Sequence, residues 1–154
     1  MESVGPFLEL FGQWKPAVPI VRFAFGGISN LESPNAEASY SIMSNYMNFD
    51  LDRSLSSDFI YQINKKRESG VISPVLINRL TKWSCAQAGQ VAFAIVDEKI
   101  TSMAEPGGVR CFCRLEFDIN TIPIDGYVLP EDKLIPLANE LDGMAREIMR
   151  EGDL

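Results

Sequence analysis

The sequence contains no histidine, the side chain that most often moves protons near neutral pH. A Ser-His-Asp or Cys-His catalytic arrangement therefore cannot form, and neither can a metal site built on imidazole. Cys85, in the segment Trp-Ser-Cys-Ala, has no histidine to act as its base. This absence favours a protein that binds another macromolecule. The remaining enzymatic hypothesis relies on carboxylate, Lys or Tyr chemistry.

Cysteine is scarce, with only Cys85, Cys111 and Cys113 in the chain. An odd count does not make a closed disulfide framework, and a reducing cytoplasm is the simplest setting for such a set. The three thiols could supply ligands to zinc, but structural zinc sites normally need four ligands. Because these cysteines lie within apolar rows, we predict that they pack in the core and that the protein has no metal and no cofactor.

Long apolar runs are also missing, and none approaches the roughly 20 residues that cross a bilayer. The start, Met1-Glu2-Ser3, lacks the basic and apolar regions of a secretory signal. We therefore expect a cytoplasmic protein that makes no membrane contact.

No phosphate-binding glycine motif occurs, because Gly26-Gly27 is not followed by Lys and then Ser or Thr at the required spacing.

Positive charge is in short supply, with 14 Lys and Arg against 21 Asp and Glu and a net charge of −7. Direct nucleic-acid binding depends on neutralising phosphates with Lys and Arg, so it is disfavoured. An acidic surface instead suits attraction to a protein partner with a basic surface. One local basic cluster does occur, with Tyr61 and Trp83 nearby in sequence: Lys65, Lys66, Arg67, Arg79 and Lys82. Whether this basic cluster pairs internally or forms a binding patch is left open by the sequence.

The clearest strand is predicted over Arg110 to Asn120. Cys111, Cys113 and Leu115 begin a row of apolar residues that alternates with polar ones, which is typical of an antiparallel sheet with one buried face. On the wetter face, Glu116 and Asp118 would lie about 7 Å apart. That separation resembles the paired carboxylates of glycosidases, but a solvated face with cross-strand ion pairs is favoured.

A C-terminal helix is predicted from about Asp132 to Arg150, because apolar residues recur there at steps of three and four. Gly152 is its predicted terminator. Its predicted exposed face carries four acidic residues, which are our candidates for partner binding: Glu140, Asp142, Glu147 and Glu151.

The remaining elements follow from periodicity and from turn residues. A short N-terminal helix is predicted from Pro6 to just before Lys15-Pro16. Five further strands are predicted: Ile20–Phe25, Tyr40–Leu51, Phe59–Asn64, Val75–Cys85 and Val91–Val96. The segments predicted between them are a break at Gly26-Gly27, a polar loop from Ser29 to Glu37, a charged turn at Lys65–Gly70 and a connection over 97–109. These predict one compact α+β domain over 1–154, an antiparallel sheet of about four to six strands covered by the long C-terminal helix.

Two functional hypotheses follow. The first is an acidic, non-enzymatic protein-binding domain, such as an immunity protein or a phage-encoded inhibitor that occupies a basic surface on its partner. The second is an oligomeric chaperone or assembly adaptor, and the layout of strands followed by a helix resembles that of the bacterial export chaperone. The second hypothesis depends on apolar residues expected at the surface: Phe7, Phe11, Trp14, Tyr40, Tyr46 and Met47.

Overall fold

The structure is a computed structural model, and it describes residues 5–47, 51, 57–89, 91–96, 99–104 and 109–152. Nine elements follow in chain order: α1 (Gly5–Gln13), β1 (Ala24–Ser33), α2 (Ala36–Ser44), β2 (Ile60–Glu68), β3 (Leu76–Ala88), β4 (Val91–Val96), β5 (Lys99–Ala104), β6 (Arg110–Thr121) and α3 (Glu131–Glu151). None of the helices in these ranges is both long enough and apolar enough to cross a membrane.

Four strands form one antiparallel sheet in the order β1-β6-β3-β2, and β4 pairs with β5 in a second, two-stranded sheet. The two edges of the larger sheet are β1 and β2. Together with the short α1 and the 21-residue α3, this is the predicted α+β arrangement, which is confirmed.

The two most regular elements lie where the sequence predicts them. In β6 the odd-numbered residues from Cys111 to Ile119 are buried, and their even-numbered neighbours up to Asp118 are half-buried. In α3 the apolar stripe is buried, and Leu137, Leu141 and Ile148 have no exposed surface. The helix ends at Gly152, whose φ of 73° closes it through a hydrogen bond from its own N–H to the carbonyl of Ile148.

The expected break at Gly26-Gly27 is wrong, because β1 runs straight through both glycines to Ser33. The ring of Phe117 occupies the space beside Gly27, where an added Cβ would lie 2.4 Å from the ring's Cζ atom. Glycine is needed here for the close approach of an aromatic ring from the next strand. The polar loop predicted from Ser29 is consequently strand as far as Ser33.

The strand predicted over Tyr40–Leu51 is also wrong, since α2 occupies Ala36–Ser44 and residues 48–50 lie outside the described part. Asn35 caps this helix, because its side-chain oxygen accepts a hydrogen bond from the N–H of Ala38 at 2.8 Å. Tyr40 and Met43 are buried, and their spacing of three residues places them on one side of α2, whereas the buried Met47 lies beyond the end of the helix.

Two further boundaries differ from the prediction. The expected charged turn at Lys65–Gly70 is strand as far as Glu68, because β2 continues through its basic residues. The expected connection over 97–109 contains β5, which pairs antiparallel with β4 from Val91 opposite Ala104 to Val96 opposite Lys99. The Pro106-Gly107-Gly108 segment lies outside the described residues.

The chain divides into two compact units. Of the described residues, the first comprises those within 5–28, 62–82 and 116–152, and the second comprises those within 29–61 and 83–115. In the first unit, the fully buried side chains include Ile77, Ile119 and Leu141. The core of the second unit is aromatic and sulfur-rich, and the ring of Tyr46 stacks on Trp83 at 5.1 Å between centroids.

Candidate functional site

The four acidic residues predicted on α3 do not share one open surface. The carboxylate of Glu140 is half-buried and accepts hydrogen bonds from the N–H of Gly70 at 2.7 Å and from the hydroxyl of Ser69 at 2.6 Å. The side chain of Asp142 is only 16% exposed and forms an ion pair with Arg146 at 2.8 Å. Glu147 is half-buried, and Glu151 alone is exposed.

Helical geometry explains why the four acidic residues lie on different sides of α3. At 3.6 residues per turn, Glu140, Glu147 and Glu151 lie along one flank of α3, and Asp142 falls on the opposite flank. The most outward positions carry other residues, and Asn139, Gly143, Arg146 and Arg150 are exposed. The expectation of a single exposed acidic face is therefore wrong, and the partner-binding role of these four residues stays a prediction.

Glu116 and Asp118 lie on the half-buried face of β6, and each has a cationic neighbour. Lys82 contacts Glu116 at 3.3 Å, and Arg22 contacts Asp118 at 3.9 Å. A chain of amide hydrogen bonds crosses the same face of the first unit, from Asn64 to Asn78 to Asn120 and then to Asp118. This is the favoured arrangement of a sheet face stabilised by cross-strand pairs.

The residues of the basic cluster have different surroundings. Lys82 forms an ion pair with Glu116 across the sheet, and Arg79 is half-buried. Lys66 and Arg67 are exposed on β2, which forms an edge of the sheet. Charged side chains on an edge strand discourage pairing with another chain. The cluster therefore does not form one continuous patch.

A group of exposed apolar side chains lies in the first unit, and we call Leu10, Trp14, Val18 and Val128 the N-terminal apolar surface. Their exposed fractions are 70%, 50%, 65% and 47%. Val18 and Val128 also line a groove of about 280 Å³, whose walls are Pro16, Ala17, Val18, Pro19, Ile20, Val128, Leu129 and Glu131. Exposed apolar side chains that share a groove, as Val18 and Val128 do, mark interaction sites in soluble proteins.

The segment that carries this surface is held in place by its own contacts. Phe11 packs against Trp14 and Phe23, with ring centroids 5.4 and 5.3 Å apart. The N–H of Leu129 donates to the carbonyl of Ile20 at 2.8 Å. α1 also contacts α3. A surface fixed in this way loses little conformational entropy when a partner covers it.

The apolar residues expected at the surface are only partly exposed. Trp14 is exposed, Phe11 and Tyr46 are half-buried, and Tyr40 and Met47 are buried, so the expected exposure of the last two is wrong. Phe7 lies in α1, but its side chain is outside the described part. Val18 and Val128 were not predicted, although the apolar Pro-Ala-Val-Pro-Ile run at 16–20 has no strand alternation and was the available signal.

The second unit contains a cleft of about 350 Å³ beside one of the cysteines. Its lining residues are Ala36, Tyr40, Ser57, Asp58, Cys85 and Gln87. Cys85 is half-buried, and Cys111 and Cys113 are buried as predicted. Burial raises the pKa of the Cys113 thiol to about 11, and the charge of Cys85 adds to the effect. Among the residues that the structure describes, no group of three or more Cys, Asp or Glu side chains could hold a metal ion.

Comparisons with known protein families, characterised proteins and solved structures gave no match to this chain.

Proposed function

We propose that this chain is a non-enzymatic protein-binding domain and that its partner covers the N-terminal apolar surface. The observation that carries the proposal is the 47–70% exposure of Leu10, Trp14, Val18 and Val128. Burying apolar surface contributes about 25 cal/mol per Å², so covering such side chains stabilises a complex. Trp14 is the natural anchor, since tryptophan is enriched among the residues that dominate binding energy.

Charge favours a partner that carries basic residues beside its apolar contact. The chain has a net charge of −7, and Glu131 lines the groove next to Val128. Glu9 in the middle of α1 and Asp132 in the first turn of α3 are also exposed. Complementary charge at the rim accelerates association and rejects acidic competitors. Affinity for the partner is therefore expected to fall as salt increases.

The experiment compares two variants of matched chemistry. Val18→Asp combined with Val128→Asp places two charges in the groove, and Val109→Asp places one such charge at a valine that is 64% exposed in the second unit. We expect the double variant to lose at least about tenfold in affinity for a partner captured from the native cell. Val109→Asp is expected to bind as the unaltered protein does. Equal binding by all three proteins would refute the proposed surface.

An oligomeric adaptor is the second candidate, because the same apolar surface could join copies of this chain. Size-exclusion chromatography with light scattering separates the two candidates. If the surface joins copies, the unaltered protein is an oligomer and the Val18→Asp, Val128→Asp variant is a monomer. If it binds a different protein, both have the mass of a monomer.

The acidic residues of α3 remain a second candidate contact for a basic partner. Glu140 must be left unaltered in the test, because its carboxylate is used within the first unit. Glu147→Lys with Glu151→Lys is the informative change, since it alters one flank of the helix and leaves the hydrogen bonds of Glu140 in place. Loss of binding in this variant, with the groove variant unaffected, would assign the contact to α3.

A further inference from the structure

The register of β3 against β6 is fixed by three contacts in the first unit. These are the hydrogen bond from the N–H of Ile122 to the carbonyl of Leu76, the amide contact of Asn78 with Asn120, and the ion pair of Lys82 with Glu116. In each pair the two residue numbers add up to 198, as an antiparallel pairing without a bulge requires. The same register places Cys85 directly opposite Cys113.

The burial pattern supports an unbroken register through Cys113 on β6 and as far as Trp83, two residues before Cys85, on β3. Burial alternates in β6 from Cys111 to Ile119 without interruption, and Thr81 and Trp83 remain buried on β3. A bulge would reverse this alternation on one strand. The charge of Cys85 also contributes to the raised pKa of Cys113, which agrees with a short distance between the two thiols.

The geometry of the pair suits a disulfide. The pair Leu76 and Ile122 is joined by a backbone hydrogen bond, and such pairs alternate with pairs that have none. Cys85 lies an odd number of residues from Leu76, so Cys85 and Cys113 form a pair without backbone hydrogen bonds. The Cα atoms of such a pair are about 4.5 Å apart, which is within the roughly 4.4–6.8 Å span of disulfides.

Cys111 is less well placed than Cys113 to form a disulfide with Cys85. It is two residues from Cys113 on the same face of β6, and the register puts Gln87 opposite it. From Cys85 it is a diagonal neighbour, about 7–8 Å away between Cα atoms. A bond to Cys111 would therefore require movement of the backbone.

We propose that Cys85 and Cys113 form a peroxide-sensitive thiol pair that closes to a disulfide across β3 and β6. Cys85 reacts first, because it is half-buried and lines the cleft, whereas Cys113 is buried and does not line it. The Cys85 thiolate attacks peroxide, so that an S–O bond forms, the O–O bond breaks and the released hydroxide takes up a proton as water. The sulfur of Cys113 then attacks the sulfur of Cys85. The S–S bond forms, the S–O bond breaks, and the departing hydroxide leaves as water with the proton of Cys113.

The test treats the folded chain with hydrogen peroxide, blocks the remaining thiols and maps the peptides without reduction. Trypsin leaves Cys85 in peptide 83–99 and leaves both Cys111 and Cys113 in peptide 111–114. Fragmentation of the linked species, or use of Cys111→Ala, is therefore needed to identify the partner. The same treatment in urea shows which cysteines become linked in the unfolded chain, where the fold does not determine the pairing.

The expected result is a link from Cys85 to Cys113 with the loss of two hydrogen atoms. Cys111→Ala should retain this link, and Cys113→Ala should lose it completely and leave Cys85 as a sulfenic or sulfinic acid. A link to Cys111 would overturn the proposal. Oxidation of Cys85 without any link in the unaltered folded protein would also overturn it, as would the same mixture of links in folded and unfolded chains.

Discussion

Glu140 and Gly70 are joined by a hydrogen bond of 2.7 Å from the backbone N–H of Gly70 to the carboxylate of Glu140. The second carboxylate oxygen accepts from the hydroxyl of Ser69, whose oxygen in turn accepts from the N–H groups of Val71 and Ile72. One acidic side chain thus ties α3 to the loop between β2 and β3. A residue that the charge pattern assigns to a partner has an internal structural role.

Replacing Glu140 is expected to destabilise the fold. Hydrogen bonds to a charged group contribute roughly 1.5–3 kcal/mol, so Glu140→Ala should reduce the free energy of unfolding by about 2 kcal/mol. Glu151→Ala is the control, because Glu151 is exposed and forms an ion pair with its neighbour Arg150, and its change should stay within about 0.5 kcal/mol. Urea denaturation measures both, and equal effects of the two changes would contradict the role of Glu140.

Adding a methyl group at Gly27 is expected to disrupt packing, because its Cβ would lie 2.4 Å from the ring of Phe117. Gly27→Ala should cost about 1–3 kcal/mol of stability, the usual range for overpacking. Phe117→Leu in the same chain should recover part of this loss by shortening the obstructing side chain.

Gly143→Ala is the matched control, since nothing lies within 4 Å of a Cβ added there in α3. This change should stabilise the protein by about 0.5–1 kcal/mol, because alanine favours a helix interior over glycine. Thermal unfolding of the two alanine variants should therefore move in opposite directions. A shift in the same direction would contradict the placement of Phe117 beside Gly27.

The raised pKa of Cys113 predicts a loss of stability at alkaline pH. The ordinary pKa of a cysteine thiol is 9.0, and that of Cys113 in the folded chain is about 11. Between these two pH values the thiol ionises in the unfolded chain and stays protonated in the folded one. The unfolded state then binds fewer protons, so the stability contribution is complete below pH 9 and falls as pH rises towards 11. Because one proton is involved, the slope cannot exceed about 1.4 kcal/mol per pH unit.

Urea denaturation of the reduced protein across this range measures that slope. Cys113→Ala should show a shallower loss than the unaltered protein, because the other groups that titrate there are common to both. Cys111→Ala keeps Cys113 and should retain the full slope. Identical slopes for all three proteins would show that the thiol of Cys113 ionises equally in the folded and unfolded chains.

Periodicity identified the elements whose residues repeat strictly. β6 alternates and α3 has a stripe at steps of three and four, and both were predicted within about one residue of their ends. The richness of residues 40–51 in Tyr, Met and Phe favours a strand, although the spacing of its first apolar residues is that of the helix α2. Ser39, Tyr40 and Met43 already have helical spacing, and Asn35 precedes the helix as a capping residue.

Other features depend on contacts that a single sequence does not contain. Gly26-Gly27 has the composition of a turn, and only the approach of Phe117 shows that Gly27 lies within a strand. The charge of Glu140 is visible in the sequence, but its use by the loop at Gly70 is not. The pairing of Cys85 with Cys113 likewise requires the register of two strands, which the alternation within each strand leaves undetermined.

The most direct test of the proposed function is photo-crosslinking in the native cell from a benzoylphenylalanine introduced at one position at a time. The informative positions are Trp14 on the N-terminal apolar surface, Glu151 on α3 and Val109 in the second unit, all of which are exposed. We predict one discrete crosslinked product from position 14, reduced by Val18→Asp with Val128→Asp, and none from position 109. A product from position 151 or 109 without one from position 14 would contradict the proposed surface.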